Sequence, residues 1–182
     1  KHIVFGIPSL LVGGIEKHIV QQLRYFNRDK YTFSIITLFD YGNREGLFDQ
    51  VPVDVKIYRL NFKNYFDIKN WYRLVKILRQ IKPDVLVTSM FSANAAFRLL
   101  KPFFAFKVIT REHNTYTDKN AFHFFTDRIL SRLSDRIVAV SETVRVSWRN
   151  IPISKKKEYK SFITVLILLR LIIISLVIRS PI

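Results

Sequence analysis

The sequence predicts a doubly wound, mostly parallel α/β sheet, and three observations carry that expectation. Short β-rich apolar runs alternate with amphipathic helical stretches as far as about Asn150. The runs Ile3-Val4-Phe5, Val85-Leu86-Val87 and Ile137 to Val140 are apolar without alternation, as suits strands buried on both faces. After several of these runs come glycines, histidine or hydroxyl side chains, where such sheets bind their ligands.

Ile3-Val4-Phe5 is the first strand. Pro8, Ser9 and Gly13-Gly14 then interrupt regular structure, and Ile15, Ile19, Leu23 and Phe26 fall on one helical face opposite Glu16, Lys17, Gln21 and Arg24. The unpaired N–H groups of that helix's first turn and its dipole favour an anion, which glycine lets approach the backbone. Gly13-Gly14 is read as half of a phosphate-sugar site. It is neither the Gly-x-Gly-x-x-Gly fingerprint nor a P-loop, and an ordinary tight turn has the same signature.

Tyr31 to Phe39 reads as the second strand, closed by Asp40-Tyr41-Gly42-Asn43. Val53, Val55 and Ile57 alternate with Asp54 and Lys56, which predicts a strand near a sheet edge. Asp67 is placed to cap a helix that turns Ile68, Trp71, Val75 and Leu78 inward and ends at Lys82-Pro83. Val85-Leu86-Val87 leads through Thr88 to Ser92 into a short helix ending at Leu100. Phe103 to Thr110 is a further strand, ending in Arg111-Glu112-His113-Asn114. A helix from about Ala121 to Leu133 turns Phe122, Phe125, Ile129 and Leu133 inward, and Ser141-Glu142 opens the last helix after Ile137 to Val140. Gly13-Gly14, Ser89 to Asn94, His113-Asn114 and Ser141-Glu142 are therefore expected on one rim, beyond the carboxyl ends of the strands.

Composition narrows the chemistry. The 182 residues suffice for one good core, and 49% hydrophobic and 14% aromatic residues exclude a disordered chain. With no cysteine, disulfides, thiolate catalysis and cysteine-held zinc are excluded, and a reducing cytoplasm is compatible. The four histidines show no metal-ligand spacing, so no metal is expected. A net charge of +16 calls for an acidic partner or reflects a generally basic background, since the cations are spread over every segment. The chain is expected to lack its initiator, because Lys1 stands where a methionine belongs, and no secretory leader is read before the first strand.

Four stretches together resemble the N-terminal half of the GT-B glycosyltransferases, specifically the retaining family four, the group 1 transferases. They are Val12-Gly13-Gly14-Ile15-Glu16-Lys17-His18, Lys82-Pro83-Asp84-Val85-Leu86, Arg111-Glu112-His113-Asn114, and Ser134 to Glu142. The resemblance implies a Rossmann-like acceptor-side domain over residues 1–152, the first of two facing domains whose second holds the nucleotide-sugar donor. It implies transfer of a hexose from a nucleotide-diphosphate sugar with retention, without metal or cofactor, to a glycan or lipid-linked acceptor in polysaccharide or cell-envelope synthesis. The leaving phosphate itself would accept the acceptor's proton, so cations and N–H dipoles matter more than a nucleophile.

His113 is the implied contact to the donor sugar near the reacting carbon and is assigned as the catalytic residue. Gly13, Gly14, Glu16, Arg111, Asn114, Ser141 and Glu142 are assigned to substrate binding. Plainer readings stand beside these: a satisfied loop histidine for His113, helix capping for Glu16 and Ser141, packing or solvent for His18. Arg111 either neutralises a phosphate or pairs with Glu112 or Asp118.

After Pro152 the pattern breaks. Residues 153–182 read as a basic linker and an apolar tail, where the family would continue with another strand, a hinge and a donor domain. The tail, Ser161 to Ile178, is read first as the product of a frameshift that truncates the donor domain, then as a membrane segment, then as a packed terminal element. A span of about 18 residues is the lower limit for crossing, and Arg170 at its middle would cost on the order of 3 kcal/mol. The fragment alone is expected to be inactive.

Basic and aromatic residues interleave at Lys63, Tyr65, Phe66, Lys69, Trp71, Tyr72 and Arg73, and again at Lys101, Phe103, Phe104 and Lys107. They make an anionic membrane surface a candidate partner, with the protein cytoplasmic and peripheral on the inner face, or else they are core. Two rivals remain. A nicotinamide-dependent oxidoreductase is suggested by Asp40 at the end of the second strand, against the glycine spacing. A nucleic-acid-binding module is suggested by net charge alone, and no nucleic acid is expected as partner.

Overall fold

The computed structural model describes residues 1–42, 45–113, 121–149 and 159–161. Its sheet contains β1 (His2–Ile7), β2 (Thr32–Thr37), β3 (Lys56–Arg59), β4 (Val85–Ser89), β5 (Lys107–Glu112), β6 (Arg136–Ala139) and β7 (Tyr159–Ser161). Their spatial order is β3-β2-β1-β4-β5-β6-β7, and every neighbouring pair is parallel. The chain winds outward from β1 to β3 and then outward from β4, so the order switches between β1 and β4. Ligand crevices of open parallel sheets lie there. The helices are α1 (Gly14–Tyr25), α2 (Ile68–Ile81), α3 (Phe91–Leu100), α4 (Ala121–Leu130) and α5 (Glu142–Arg149).

The alternation of side chains along each strand builds two cores. On one face Ile3, Phe5, Ile7, Val87 and Ile109 meet Ile19 and Leu23 of α1. On the other, Val4, Leu86 and Val108 meet Leu74 and Leu78 of α2 and Phe97 of α3. Gly6 of β1 faces this second layer, and any β-carbon there would collide with the Phe97 ring. Truncating a fully buried member such as Leu23 to alanine should cost about 2–5 kcal/mol.

Several details differ from the sequence-based expectations. Phe103 is exposed and β5 starts at Lys107, so Arg111 and Glu112 lie inside the strand and not in the loop after it. Val53 is exposed and the edge strand β3 starts at Lys56; the alternation began too early, although β3 does lie at the edge. Asp67 caps α2 as expected, accepting from the Asn70 N–H at 3.2 Å. The inward face of α2 is rotated, however: Ile68 is exposed while Asn70, Leu74 and Leu78 are buried. On α4, Phe125 and Ile129 are exposed and Asp127 and Leu130 are buried, because a buried arginine of α3 draws the helix's polar side inward. Glu16, assigned to the outer face of α1, is buried. A short strand, β7, pairs with β6 beyond Pro152, in the stretch read from the sequence as a basic linker and the start of the tail. The tail from 162 onward lies outside the described residues, and among those described no helix is long and apolar enough to cross a membrane.

Candidate functional site

Because β1, β4, β5 and β6 are consecutive in the sheet and parallel, the segments after them share one rim. Gly13-Gly14, Ser89 to Asn94, His113 and Ser141-Glu142 therefore stand at the same end of the molecule, and Asn114 lies outside the described residues.

Gly13 is the N-cap of α1 in extended conformation, and its carbonyl accepts the first helical hydrogen bond from Lys17 N–H at 3.0 Å. A β-carbon on Gly13 would strike Oε2 of Glu16, which folds back over the cap. Glu16 thus lies at the amino end of its own helix, where a carboxylate is favoured. Ser141 caps α5: its Oγ accepts from Val144 N–H at 3.2 Å. Glu142 opens α5 and is exposed.

The strongest electrostatic feature of the rim is on β5. Arg111 projects towards the α1 face and is 1% exposed, yet Nε and Nη1 have no hydrogen-bond partner among the described residues. Glu112 projects to the opposite face, so the two neighbours cannot pair; Asp118, the other proposed partner, lies outside the described residues. Burial pulls the Arg111 guanidinium down to about 10, leaving it charged at neutral pH. His113, two residues on, is pushed down to about 3 by burial, then by the Arg111 charge and by His18. Its Nε2 is buried without a partner among the described residues. His18 of α1 is lowered by burial and by Arg111. Three basic groups from two elements are thus held close together, and the segment Gly13-Gly14 leads directly into the helix that carries one of them. Ser89, the register partner of Arg111 on β4, is fully buried and its Oγ also has no partner among the described residues. A desolvated arginine beside neutral imidazoles and free helix N–H groups is chemically suited to an anion, which would supply the hydrogen bonds and lift both imidazole pKa values.

Sequence reasoning placed Ser89 and Met90 on the rim and read His18 as packing or solvent, but gave none of the three a role in the site. Met90 joins β4 to α3 at φ 71° and ψ 153°, a region that side chains other than glycine avoid. Nothing in the residue type announces that strain. His18 was findable, since it sits one turn after Gly14 and adjoins the inward Ile19. Asp40, the feature favouring a dinucleotide, is engaged by Arg59 at 2.7 Å. A separate cavity of about 510 Å³ opens at the opposite, amino ends of β4 and β5, between Arg79, Lys82, Phe104 and Lys107, away from every residue of the rim.

The comparisons with known proteins agree with this geometry. Among solved structures, sucrose-phosphate synthase from Thermosynechococcus elongatus superposes with a TM-score of 0.64 at 10% identity, over 88% of this chain and 47% of that one. The lipopolysaccharide outer core galactosyltransferase WaaB gives 0.63 at 13% identity, over 85% and 43%. Anabaena Alr3699/HepE, solved in complex with UDP, gives 0.63 at 14% identity, over 89% and 44%. At these identities the likeness establishes the fold, and the chain spans less than half the length of these structures. No curated protein matches at a significant level. The family model Glycosyltransferase Family 4 matches residues 12–157, more than half of the sequence. The chain belongs to Glycosyltransferase Family 4 and has the Rossmann-like fold of an N-terminal GT-B domain.

Proposed function

We propose that the chain is the acceptor-side domain of a retaining hexosyltransferase that uses a nucleotide-diphosphate sugar and serves polysaccharide or cell-envelope synthesis. The observation that carries this reading is Arg111, buried, charged and, among the described residues, without a hydrogen-bond partner for Nε and Nη1 at the carboxyl rim. In the complete enzyme the guanidinium and the first-turn N–H groups of α1 face the diphosphate as negative charge builds on the leaving group. His113 lies beside the transferred hexose as a neutral imidazole, which its lowered pKa maintains at physiological pH. The acceptor, a glycan or lipid-linked sugar, lies against the same rim, and the phosphate takes its proton. A donor domain supplies the opposite wall, so the chain alone turns over no sugar at a useful rate.

Ligand-observed NMR with a panel of nucleotide-diphosphate hexoses tests the reading. Hexose and phosphorus resonances are expected to broaden with the wild-type chain and to recover with His113→Ala and Arg111→Met. Equal broadening with all three proteins contradicts it, and sugar transfer by the purified chain contradicts the need for a second domain.

A further inference from the structure

The face of the protein around the start of α2 presents apolar side chains that no core covers. Phe66 is 89% exposed and Ile68 81% exposed, with Tyr65 and Tyr72 beside them at 56% and 67%. This is an ordered projection. The Phe66 N–H donates to Asn64 Oδ1 at 2.9 Å, Asn70 Nδ2 donates to the Asn61 carbonyl at 2.8 Å, and Trp71 Nε1 donates to the Tyr65 carbonyl at 2.8 Å. The Tyr65 ring packs edge-on against Phe39, 6.3 Å between centroids, which fixes the tip to the carboxyl end of β2. Trp71 anchors the tip from below against Phe62. The basic-aromatic run of the sequence thus divides in two, a buried anchor and a presented tip.

The charge around the tip has one sign. Between Asn61 and Lys82 the chain carries six cations and one carboxylate. That carboxylate, Asp67, is occupied by the Asn70 side chain and by the backbone N–H groups of Lys63 and Asn70. Lys69, Arg73 and Lys76 follow at i, i+4 and i+7 on the exposed side of α2, C-terminal to Phe66 and Ile68. Exposed apolar residues followed by a row of cations fit a phospholipid surface, with the tip at the level of the acyl chains and the cations at the phosphates. The exposed rings of Phe66, Tyr65 and Tyr72 also suit stacking on bases, so RNA binding is one of the outcomes tested below.

We infer that the β3–α2 segment is a membrane-docking surface for anionic phospholipid, entered by Phe66 and Ile68 and held by Lys69 and Arg73. Since α2 begins at the carboxyl ends of the strands, docking brings the rim that carries Arg111 and His113 towards the lipid. Docking is independent of sugar transfer and is read without any donor present.

Co-sedimentation of the full chain with vesicles of phosphatidylglycerol and phosphatidylcholine tests it. Wild type should pellet with these vesicles and stay in solution with phosphatidylcholine alone. Phe66→Ser with Ile68→Ser should weaken binding by at least about tenfold. Lys69→Gln with Arg73→Gln should weaken it by about twentyfold and flatten its salt dependence. Val53→Ser, at an exposed valine on a different segment, should change nothing, and circular dichroism should be the same for all four proteins. Undiminished binding by the tip variant overturns the inference. So does equal binding to neutral vesicles, RNA binding without vesicle binding, or a tip-dependent dimer that leaves the vesicles behind.

Discussion

Two arginines are buried on opposite faces of the same strand end, and their circumstances are opposite. Arg98 of α3 is fully buried and fully engaged: Nε donates to Ser134 Oγ at 2.8 Å, Nη1 to Asp127 at 2.8 Å and Nη2 to Glu112 at 3.3 Å. Asn94 and Thr110 extend the network, Asn94 Nδ2 donating to Glu112 at 3.0 Å and Thr110 Oγ1 sharing a hydrogen bond with Ser134 Oγ at 2.8 Å. Arg111, on the α1 face, is as well buried, but its Nε and Nη1 are left without partners beside two histidines. Burying a charge is tolerated when partners replace its water. Arg98 meets that condition within the fold, so it ties α3 and α4 to β5. Arg111 does not among the described residues, which leaves Nε and Nη1 open to an incoming acceptor. The lesson is that burial alone does not separate a structural ion from a binding one; completeness of its hydrogen bonding does.

The largest expected effect tests that contrast by deletion. Arg98→Met strands two buried carboxylates and should lower the stability by about 3–5 kcal/mol in urea unfolding. Arg111→Met removes an unpaired charge and should be neutral or stabilising, within about 1 kcal/mol. Equal losses in both variants would make Arg111 another structural arginine.

Acid comes next. The His113 imidazole, held down to about 3, stays neutral in the folded protein while an unfolded histidine protonates near 6.5. Below pH 6.5 the unfolded chain therefore binds the extra proton, and stability falls with pH, by about 2 kcal/mol at pH 5 from this group. His18 is shifted in the same direction and adds to the slope. Unfolding curves of His113→Asn across that range should be flatter than wild type; unchanged slopes would mean that the histidine is not buried in the way described.

The smallest effect concerns Met90, which joins the two sides at the end of β4. Its backbone lies where glycine is at ease, so Met90→Gly should gain about 1 kcal/mol after the entropy that glycine loses on folding. Thermal denaturation reads this, and a loss of stability would show that side-chain packing at Met90 outweighs the strain.

Much of the fold was legible because parallel strands buried on both faces leave uninterrupted apolar runs, as at Val85-Leu86-Val87, and because Gly13-Gly14 and Lys82-Pro83 punctuate the helices. Strand ends were less legible. Phe103-Phe104 is as β-prone as a strand, but Lys101, whose ammonium donates to the Phe106 carbonyl, closes a turn there and delays β5. Hydrophobicity alone misplaces the inward face of α4, because Arg98 pulls Asp127 into the interior. The rim was legible as a set of segments, since topology alone aligns them. Its electrostatics were not: that Arg111 and Glu112 part to opposite faces follows only once both belong to a strand, and His18 joins them only through the packing of α1.

The central claim, that Arg111 is buried to receive an anion at the carboxyl rim, is tested most directly with pyrophosphate. Melting curves of the wild-type chain should move to higher temperature as pyrophosphate is added, because a ligand that binds only the folded state stabilises it, and those of Arg111→Met should not move. An equal rise in the two proteins, or none in the wild type, would contradict it.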